Sequence, residues 1–579
     1  MTKINSLDNK EILKQLKLTA SLLELHSVPG KNDNTFKIRS YNNAIFNLER
    51  QDQRIADLTF EEICRIDGVG KSIATNIVEL LQSGSFPLLD ELIELTPPGV
   101  IEMLQIKGIG PKKIRVIWEE LQIETLADLL NACKEGKISK LKGFGDKTEE
   151  TIKNALLFVT KSKNKMQYIT AEDFAYQLEQ KIKTIFPEAL VSITGALRRK
   201  LEVVEKIEFV LGFEDILKAH EGLNKIELIQ QDPKRSGPFT WRGNLMDGNL
   251  EVEIFLTKKD TFYNQLLLHT GSERHVSYLL PELKTLIKIS KEQKFSNEEE
   301  AYQLMGLPYI EPELREGTFE FTLATENKLP TLVEMNDLKG VIHSHSTYSD
   351  GKNTLEEMAE FCKASGYEYL GISDHSKAAF YANGLEEYRI IKQHQEIEKL
   401  NEKLAPFRIF KGIESDILND GSLDYEEQVL ASFEFVIASI HSNLKMDKKK
   451  ATDRLIKAIN NPFTTFLGHA TGRLLLRREG YPIDHKEVID ACASNNVIIE
   501  INANPNRLDM DWRWINYALE QNVLISINPD AHEKESYAKM YYGVCVARKA
   551  GLSKEKTFNA FSLKEVDDYF KRRKELIKI

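Results

Sequence analysis

Apolar residues recur every three or four positions through residues 12–25 and 73–81, the period of helices that bury one face. That character holds to about residue 160 and then changes. Between 165 and 260, short β-rich runs at 189–194, 206–212 and 250–257 alternate with helical stretches. Helical periodicity returns over 262–318 and weakens at 316–330, where a linker or an extended strand is expected. From residue 339 onward, short apolar runs at 340–343, 369–373, 435–439, 497–502 and 524–528 alternate with helices. Alternation of this kind builds a parallel sheet, either a βα barrel or a layered arrangement. A multidomain α/β protein is expected.

Three pieces punctuate the helical region: IDGVGK at 66–71, IKGIGPK at 106–112 and LKGFGDK at 141–147. Each sets two glycines around an apolar residue, adds a lysine within two positions, and opens a helix. The pairs are Gly68 and Gly70, Gly108 and Gly110, Gly143 and Gly145. Such a pair permits a tight turn between short helices. It also lets backbone N–H groups approach a phosphate at the positive end of the helix dipole. A single such pair usually marks nothing more than a helix end. Three copies spaced 35–40 residues apart point to binding of the DNA backbone, which positions DNA without reading its sequence. The pieces resemble helix-hairpin-helix motifs.

Composition adjusts this picture slightly. The chain has 579 residues, 42% hydrophobic and 29% charged, which suits a soluble protein of several domains. The formal net charge of −10 weighs against a uniformly basic nucleic-acid binder. Lysine and arginine nevertheless cluster at 137–147, 198–200, 445–450 and 473–478. Five scattered cysteines without a CxxC pair favour reduced thiols over disulfides or a zinc ribbon. Neither a secretory apolar core at the N-terminus nor a membrane-length apolar run is present, so a cytoplasmic protein with no membrane partner is expected. Heptads are absent, and a monomer is expected.

Eight of the 12 histidines lie beyond residue 340. Six of those stand at or just after the ends of expected strands: His343 and His345 in VIHSHSTYSDG, His375 in GISDHS, His441 in ASIHSN, His469 in LGHATG and His532 in NPDAH. Asp350, Asp374, Glu414 and Asp530 occupy similar places. In a parallel α/β architecture these strand ends converge on one face. Mixed nitrogen and carboxylate donors suit zinc, manganese or iron. So many donors exceed the needs of one ion, which implies two or three. His394 and His485 lie in or beside polar helical runs and are set aside.

The HxH, SDG, DH, GxE, IHS, GH and DAH pieces, in that order over 337 to about 570, resemble the PHP family of phosphoesterases. The resemblance implies that His343, His345, Glu414 and Asp530 hold one metal, with Glu414 bridging to a second on His441 and His469. Asp350, His375 and His532 would hold a third. His343, His345, Glu414, His441 and Asp530 would form the catalytic centre. Such clusters activate water for in-line attack on phosphorus. Arg473 and Arg507 are candidates for gripping substrate phosphate through their planar forks.

The whole order, with TGALRR at 194–199, HTGSERH at 269–275 and EEEAYQLMGLPYIEPELREG at 298–317, resembles bacterial X-family DNA polymerases. The resemblance implies a helical 8-kDa-like domain at 1–85 and a fingers-like domain with two further hairpins at 86–163. A nucleotidyltransferase-like palm at 164–262, a helical and mixed thumb at 263–318 and a linker at 319–336 would follow. A PHP domain, a distorted (β/α)7 barrel, would occupy 337–579. In that family GSxRR precedes two aspartates at i and i+2, and a third aspartate on a neighbouring strand completes a two-magnesium site. Here Ala196 replaces the serine, and Lys206, Glu208 and Glu253 stand at the aspartate positions. Lys206 brings a positive charge where a cation belongs. Glu205 cannot substitute, because successive strand residues face opposite sides. Each glutamate also reaches a methylene too far for a tight octahedral site. The polymerase site is therefore expected to be inactive, leaving a DNA-binding scaffold whose Arg198 and Arg199 face phosphate. The family's lyase lysine corresponds to Asn76, with Lys71 nearby, so no lyase activity is expected.

These strands combine into one expectation: a metal-dependent 3′→5′ exonuclease and end-processing phosphodiesterase of DNA repair. It would act on gapped, nicked or 3′-recessed DNA, with other repair enzymes as possible partners. A gap-filling polymerase with a PHP exonuclease is the alternative that primer extension would reveal. A histidinol-phosphatase-type enzyme would leave the roughly 330 residues ahead of the PHP segment without a purpose. A non-enzymatic scaffold would leave the full donor set without one.

Overall fold

The computed structural model describes residues 7–577 apart from 29, 31, 52, 107, 247, 249 and 281–283. Lys107 of the second glycine hairpin thus lies outside the described residues. The chain divides into two compact units, Met1–Lys163 and Asn164–Ile579.

The first unit is helical. Helix Lys71–Ser83 buries Ile73, Ala74, Ile77 and Leu80, the stripe its periodicity requires. The three glycine pairs share one geometry. Gly68, Gly108 and Gly143 take φ of +75°, +93° and +85°, a left-handed conformation that side chains resist. Gly70, Gly110 and Gly145 are extended and precede helices Lys71–Ser83, Pro111–Leu121 and Asp146–Ser162 without any side-chain cap. A Cβ added to any of these three would meet nothing within 4 Å. The second glycine of each pair therefore leaves open space in front of uncapped N–H groups, as an approaching anion needs.

The second unit holds 14 named strands. The first seven are β1 (Met166–Gln167), β2 (Leu190–Thr194), β3 (Val203–Val204), β4 (Lys206–Gly212), β5 (Ile229–Gln231), β6 (Thr240–Leu245) and β7 (Glu251–Thr257). A five-stranded sheet runs β2-β4-β7-β6-β5, with β4 and β7 parallel and Glu208 opposite Glu253. The rest are β8 (Gly340–Val341), β9 (Tyr369–Ile372), β10 (Arg408–Asp416), β11 (Phe435–Ser439), β12 (Phe466–Leu467), β13 (Ile498–Asn502) and β14 (Ile525–Asn528). These pair in sequence order and in parallel. A parallel bridge between Ser344 and Ala531, with His345 N donating to Ala531 O at 2.8 Å, joins the continuations of β8 and β14. The seven strands thereby form a nearly closed barrel, the (β/α)7 architecture expected from the sequence. Buried Phe410, Phe435, Phe466, Phe558 and Phe570 pack as one aromatic cluster.

The linker expected over 319–336 is not an open tether. Helix Glu320–Thr325 buries Phe321 and Glu320. The Glu320 carboxylate accepts from Gly317 N and Thr318 N and lies 2.8 Å from His275 Nδ1. A buried carboxylate with that many donors fixes the segment in place. The barrel is also tied to the residues before it. Trp512 Nε1 and Arg513 Nη1 donate to Glu202 at 3.1 and 2.9 Å. The buried Lys549 ammonium pairs with Glu316 and donates to Arg199 O at 3.1 Å. Among the described residues no helix is long and apolar enough to cross a membrane.

Candidate metal centre

Glu414, near the end of β10, is fully buried and central. Its Oε1 lies 3.0 Å from His469 Nε2, 3.2 Å from His441 Nε2 and 3.4 Å from His343 Nε2. Its Oε2 lies 3.0 Å from His375 Nδ1 and 3.6 Å from His345 Nε2. Asp530, just past β14, sets Oδ1 3.2 Å from His345 Nε2 and 3.5 Å from His343 Nε2. Asp350 Oδ1 is 3.4 Å from His532 Nε2 and 3.7 Å from His375 Nε2. Every strand but β13 delivers a donor at or just past its C-terminal end, so six strand ends meet over one barrel mouth. All nine expected donors are brought together.

Three groups have ligand atoms close enough to hold an ion: His343, His345 and Asp530; His375, Glu414 and His441; and His345, Asp350, His375 and His532. This partition differs from the expected one, because His345 and His375 each serve two groups and Glu414 sits with His375. His469 stands outside these three groups, its Nε2 3.0 Å from Glu414 Oε1. The donors fit cations on a further ground. His343 Nε2, His375 Nδ1 and Glu414 Oε2 are buried without a hydrogen-bond partner, an unfavourable state that a bound cation would relieve. His469 and Asp530 have φ of +22° and +51°, strained values for residues other than glycine.

Opposing charges polarise the cluster. Burial works against ionisation of Glu414, but the neighbouring His441, His343 and His375 outweigh it and hold its carboxyl well below the usual range. Burial likewise opposes charge on His343, yet Glu500, Glu414 and Asp530 raise it well above its ordinary value. His345 goes the other way, to about 3, through burial and the nearby His532 and His375. Burial alone would lower His441, but Glu414 and Asp416 push it up to about 10.

Two residues not singled out from the sequence hold the donors in place. Glu500, fully buried on β13, lies 2.7 Å from His343 Nδ1 and accepts from His469 N and Asn528 Nδ2. Asp416 pairs with His441 Nδ1. A carboxylate on the outer ring nitrogen fixes the tautomer that aims the inner one at a metal. The signal for Glu500 was a lone carboxylate inside the apolar run IIEIN. Asp374, by contrast, is saturated by Ser346, Ser349 and Gln393 and has no oxygen left for an ion.

The arginines divide. Arg507 Nε lies 3.8 Å from Asp530 Oδ2, facing the cluster. Arg473 does not share that role. Its guanidinium donates to Arg507 O, Leu508 O and Asp511, so it braces the loop that carries Arg507. Arg198 and Arg199 are not presented to phosphate either. Arg198 is bidentate to buried Glu298 at 3.0 and 2.5 Å, and Arg199 pairs with Glu316 at 2.8 Å. The pairing follows from burial: a guanidinium withdrawn from water requires a carboxylate. His394 packs edge-on against Phe433 and His485 stacks on Trp514, both outside the cluster.

In the five-stranded sheet, Lys206 Nζ lies 2.8 Å from Glu208 Oε1 and 2.6 Å from Glu253 Oε2. Arg242 holds the other oxygen of Glu253 at 2.6 Å. Glu205 turns outward to Lys165 at 2.8 Å. At Asn76, the amide donates to Tyr41 Oη at 2.6 Å.

Family models agree with this division of the chain. A helix-hairpin-helix domain matches residues 7–86, a SAM-like helix-hairpin-helix tandem 100–156, and a PHP domain 342–504. A probable phosphatase of Acetivibrio thermocellus is 27% identical over 252 residues, 42% of this chain and 99% of the relative. A similar one from Thermoanaerobacter sp. strain X514 is 26% identical over 253 residues, 42% of this chain and 98% of the relative. These relatives share only part of the chain. The DNA polymerase/3′-5′ exonuclease PolX of Bacillus subtilis strain 168 is 33% identical over 579 residues, 97% of this chain and 99% of the relative. A match that runs through hairpins, five-stranded sheet and barrel alike places the chain in the bacterial PolX family, with a PHP phosphoesterase domain at its C-terminal end.

Proposed function

We propose that the chain is a metal-dependent 3′→5′ DNA exonuclease and end-processing phosphodiesterase whose polymerase site is inactive. The observation that carries this is Glu414, within 3.0–3.6 Å of five histidine nitrogens at the barrel mouth. The relative PolX is named for both polymerase and exonuclease activity. The phosphatase relatives favour a small phosphomonoester as a second reading. The three open glycine hairpins favour DNA, since a small substrate has no use for them.

His343, His345 and Asp530 would hold one cation, His375, Glu414 and His441 a second, and Asp350 and His532 with the shared histidines a third. Zinc, manganese and iron suit these donors. When bound, the cations supply an activated water and neutralise charge on the phosphoryl oxygens. The chain's own residues then do the rest. Glu500 and Asp416 accept from the outer nitrogens of His343 and His441 and so orient the inner nitrogens toward the cations. Arg507 grips a non-bridging phosphate oxygen beside Asp530 and draws the phosphodiester over the cluster. Glu500→Gln is expected to weaken manganese affinity about 10–100-fold, because the amide no longer balances the His343 ring. Calorimetric titration of the metal-stripped protein checks this; unchanged affinity would remove Glu500 from the site.

The reading is tested on a 3′-recessed primed DNA with manganese. The wild-type chain shortens the primer from its 3′ end, and His343→Ala does not. Release of inorganic phosphate from small esters without primer shortening would favour the phosphatase reading instead.

A further inference from the structure

The loop after β9 carries two aromatic side chains that nothing in the fold explains. Phe380 is 86% exposed and Tyr381 60% exposed, on a 3-10 turn a few residues beyond His375. The Tyr381 ring centroid lies 6.5 Å from that of His375, and the Phe380 and Tyr381 rings meet edge to face at 6.0 Å. Tyr381 therefore stands at the rim of the metal cluster, with Phe380 packed against it.

The turn that presents them is rigid. Its anchors Ala379 and Ala382 are buried. Leu385 N donates to His375 O at 2.8 Å and Gly384 N to Ala379 O at 3.1 Å, which close the loop at its base. Ala378 N donates to Asp424 at 2.6 Å, and Arg389 Nη1 donates to Asn383 O at 2.8 Å. Flexible loops hide apolar tips by folding them down; this one is held so that it cannot.

We propose that Phe380 and Tyr381 form a stacking platform for the base of the 3′-terminal nucleotide while its phosphodiester lies on the metal cluster. The proposal rests on the nuclease reading above. Every base offers a π-face, so the platform accepts any nucleotide. The occupant is a nucleobase rather than a protein segment because the platform begins within one ring's width of a candidate metal ligand. Arg507, beside Asp530, takes the phosphate. Two rigid, preorganised rings suit a substrate whose terminal nucleotide must be held while the bond behind it is cut.

The test uses the full-length chain with manganese and two single-stranded DNAs that differ only at the 3′ end. One ends in a normal nucleotide and the other in a tetrahydrofuran residue that lacks the base. Wild type is expected to process the normal end about 10-fold faster, as loss of one base stack implies. Phe380→Ala combined with Tyr381→Ala is expected to bring the normal end down to the rate of the baseless end, through KM, with bound manganese unchanged. Tyr381→Phe keeps the ring and retains the preference. Equal rates on both ends in wild type, or a double variant that slows both ends alike, would overturn the platform while leaving the nuclease reading standing. Absence of cleavage of either end by wild type would overturn both.

Discussion

Glu414→Gln is expected to lower metal-dependent hydrolysis by on the order of 10³-fold or more and to strip bound metal from the purified chain. The substitution preserves shape and volume, so it isolates charge. Glu414 is fully buried, and its two oxygens face five histidines. An amide presents a donor to whatever cation those histidines hold, and it removes the charge that offsets the ion's own. Elemental analysis of bound metal, read beside the rate of primer shortening, checks both halves. Asp374→Asn is the comparison. Asp374 is just as buried and lies one residue from His375, but its oxygens are spent on Ser346, Ser349 and Gln393. That variant is expected to lose stability and keep its metal. Retention of metal and rate in Glu414→Gln would reduce Glu414 to a packing residue.

The contrast between Glu414 and Asp374 marks how far the sequence could be read. Position after a strand placed both near the barrel mouth, because parallel strands deliver their C-terminal ends to one face. Which oxygens remain free depends on serines and a glutamine that approach from other segments, and no spacing rule encodes that. The same holds for the arginines. Arg473 and Arg507 look alike in sequence, yet only Arg507 faces the cluster, because Asp511 and two backbone carbonyls claim Arg473. Strand β10 was legible only at its end, through Glu414, because RIFKGIESD mixes charges into a buried run. Strand β12, two residues long, shows in the sequence only as the short apolar step before His469. The glycine hairpins were legible because their constraint is local: a positive φ and an open approach are properties of the pair alone. Glu320, buried in what reads as a linker, was not, since its partner His275 lies 45 residues away.

In the five-stranded sheet, no primer extension is expected from either wild type or His343→Ala, with magnesium or manganese and all four deoxynucleotides. The argument is one of occupancy. Strand pairing sets Glu208 opposite Glu253, the arrangement that would span a cation. The Lys206 ammonium already spans it, at 2.8 and 2.6 Å. Burial alone would lower the Lys206 pKa, but Glu208 and Glu253 raise it, so the ammonium keeps its proton at neutral pH. Glu253 is also gripped by Arg242, and Glu208 packs so closely over Gly195 that a Cβ there would lie 1.8 Å from Oε2. A magnesium ion demands near-ideal octahedral ligands at about 2.0–2.1 Å. It would have to expel a bound ammonium, detach an arginine and pull both glutamates inward, while the neighbouring Glu251 is held by Arg235 and Glu205 faces Lys165. His343→Ala is the informative background, because it removes the competing loss of nucleotides at the barrel. Extension in that variant would show that two glutamates suffice and that Lys206 yields its place. Its absence would leave the sheet as a structural frame, held by the Lys206–Glu253–Arg242 network, on a chain whose chemistry resides at the barrel mouth.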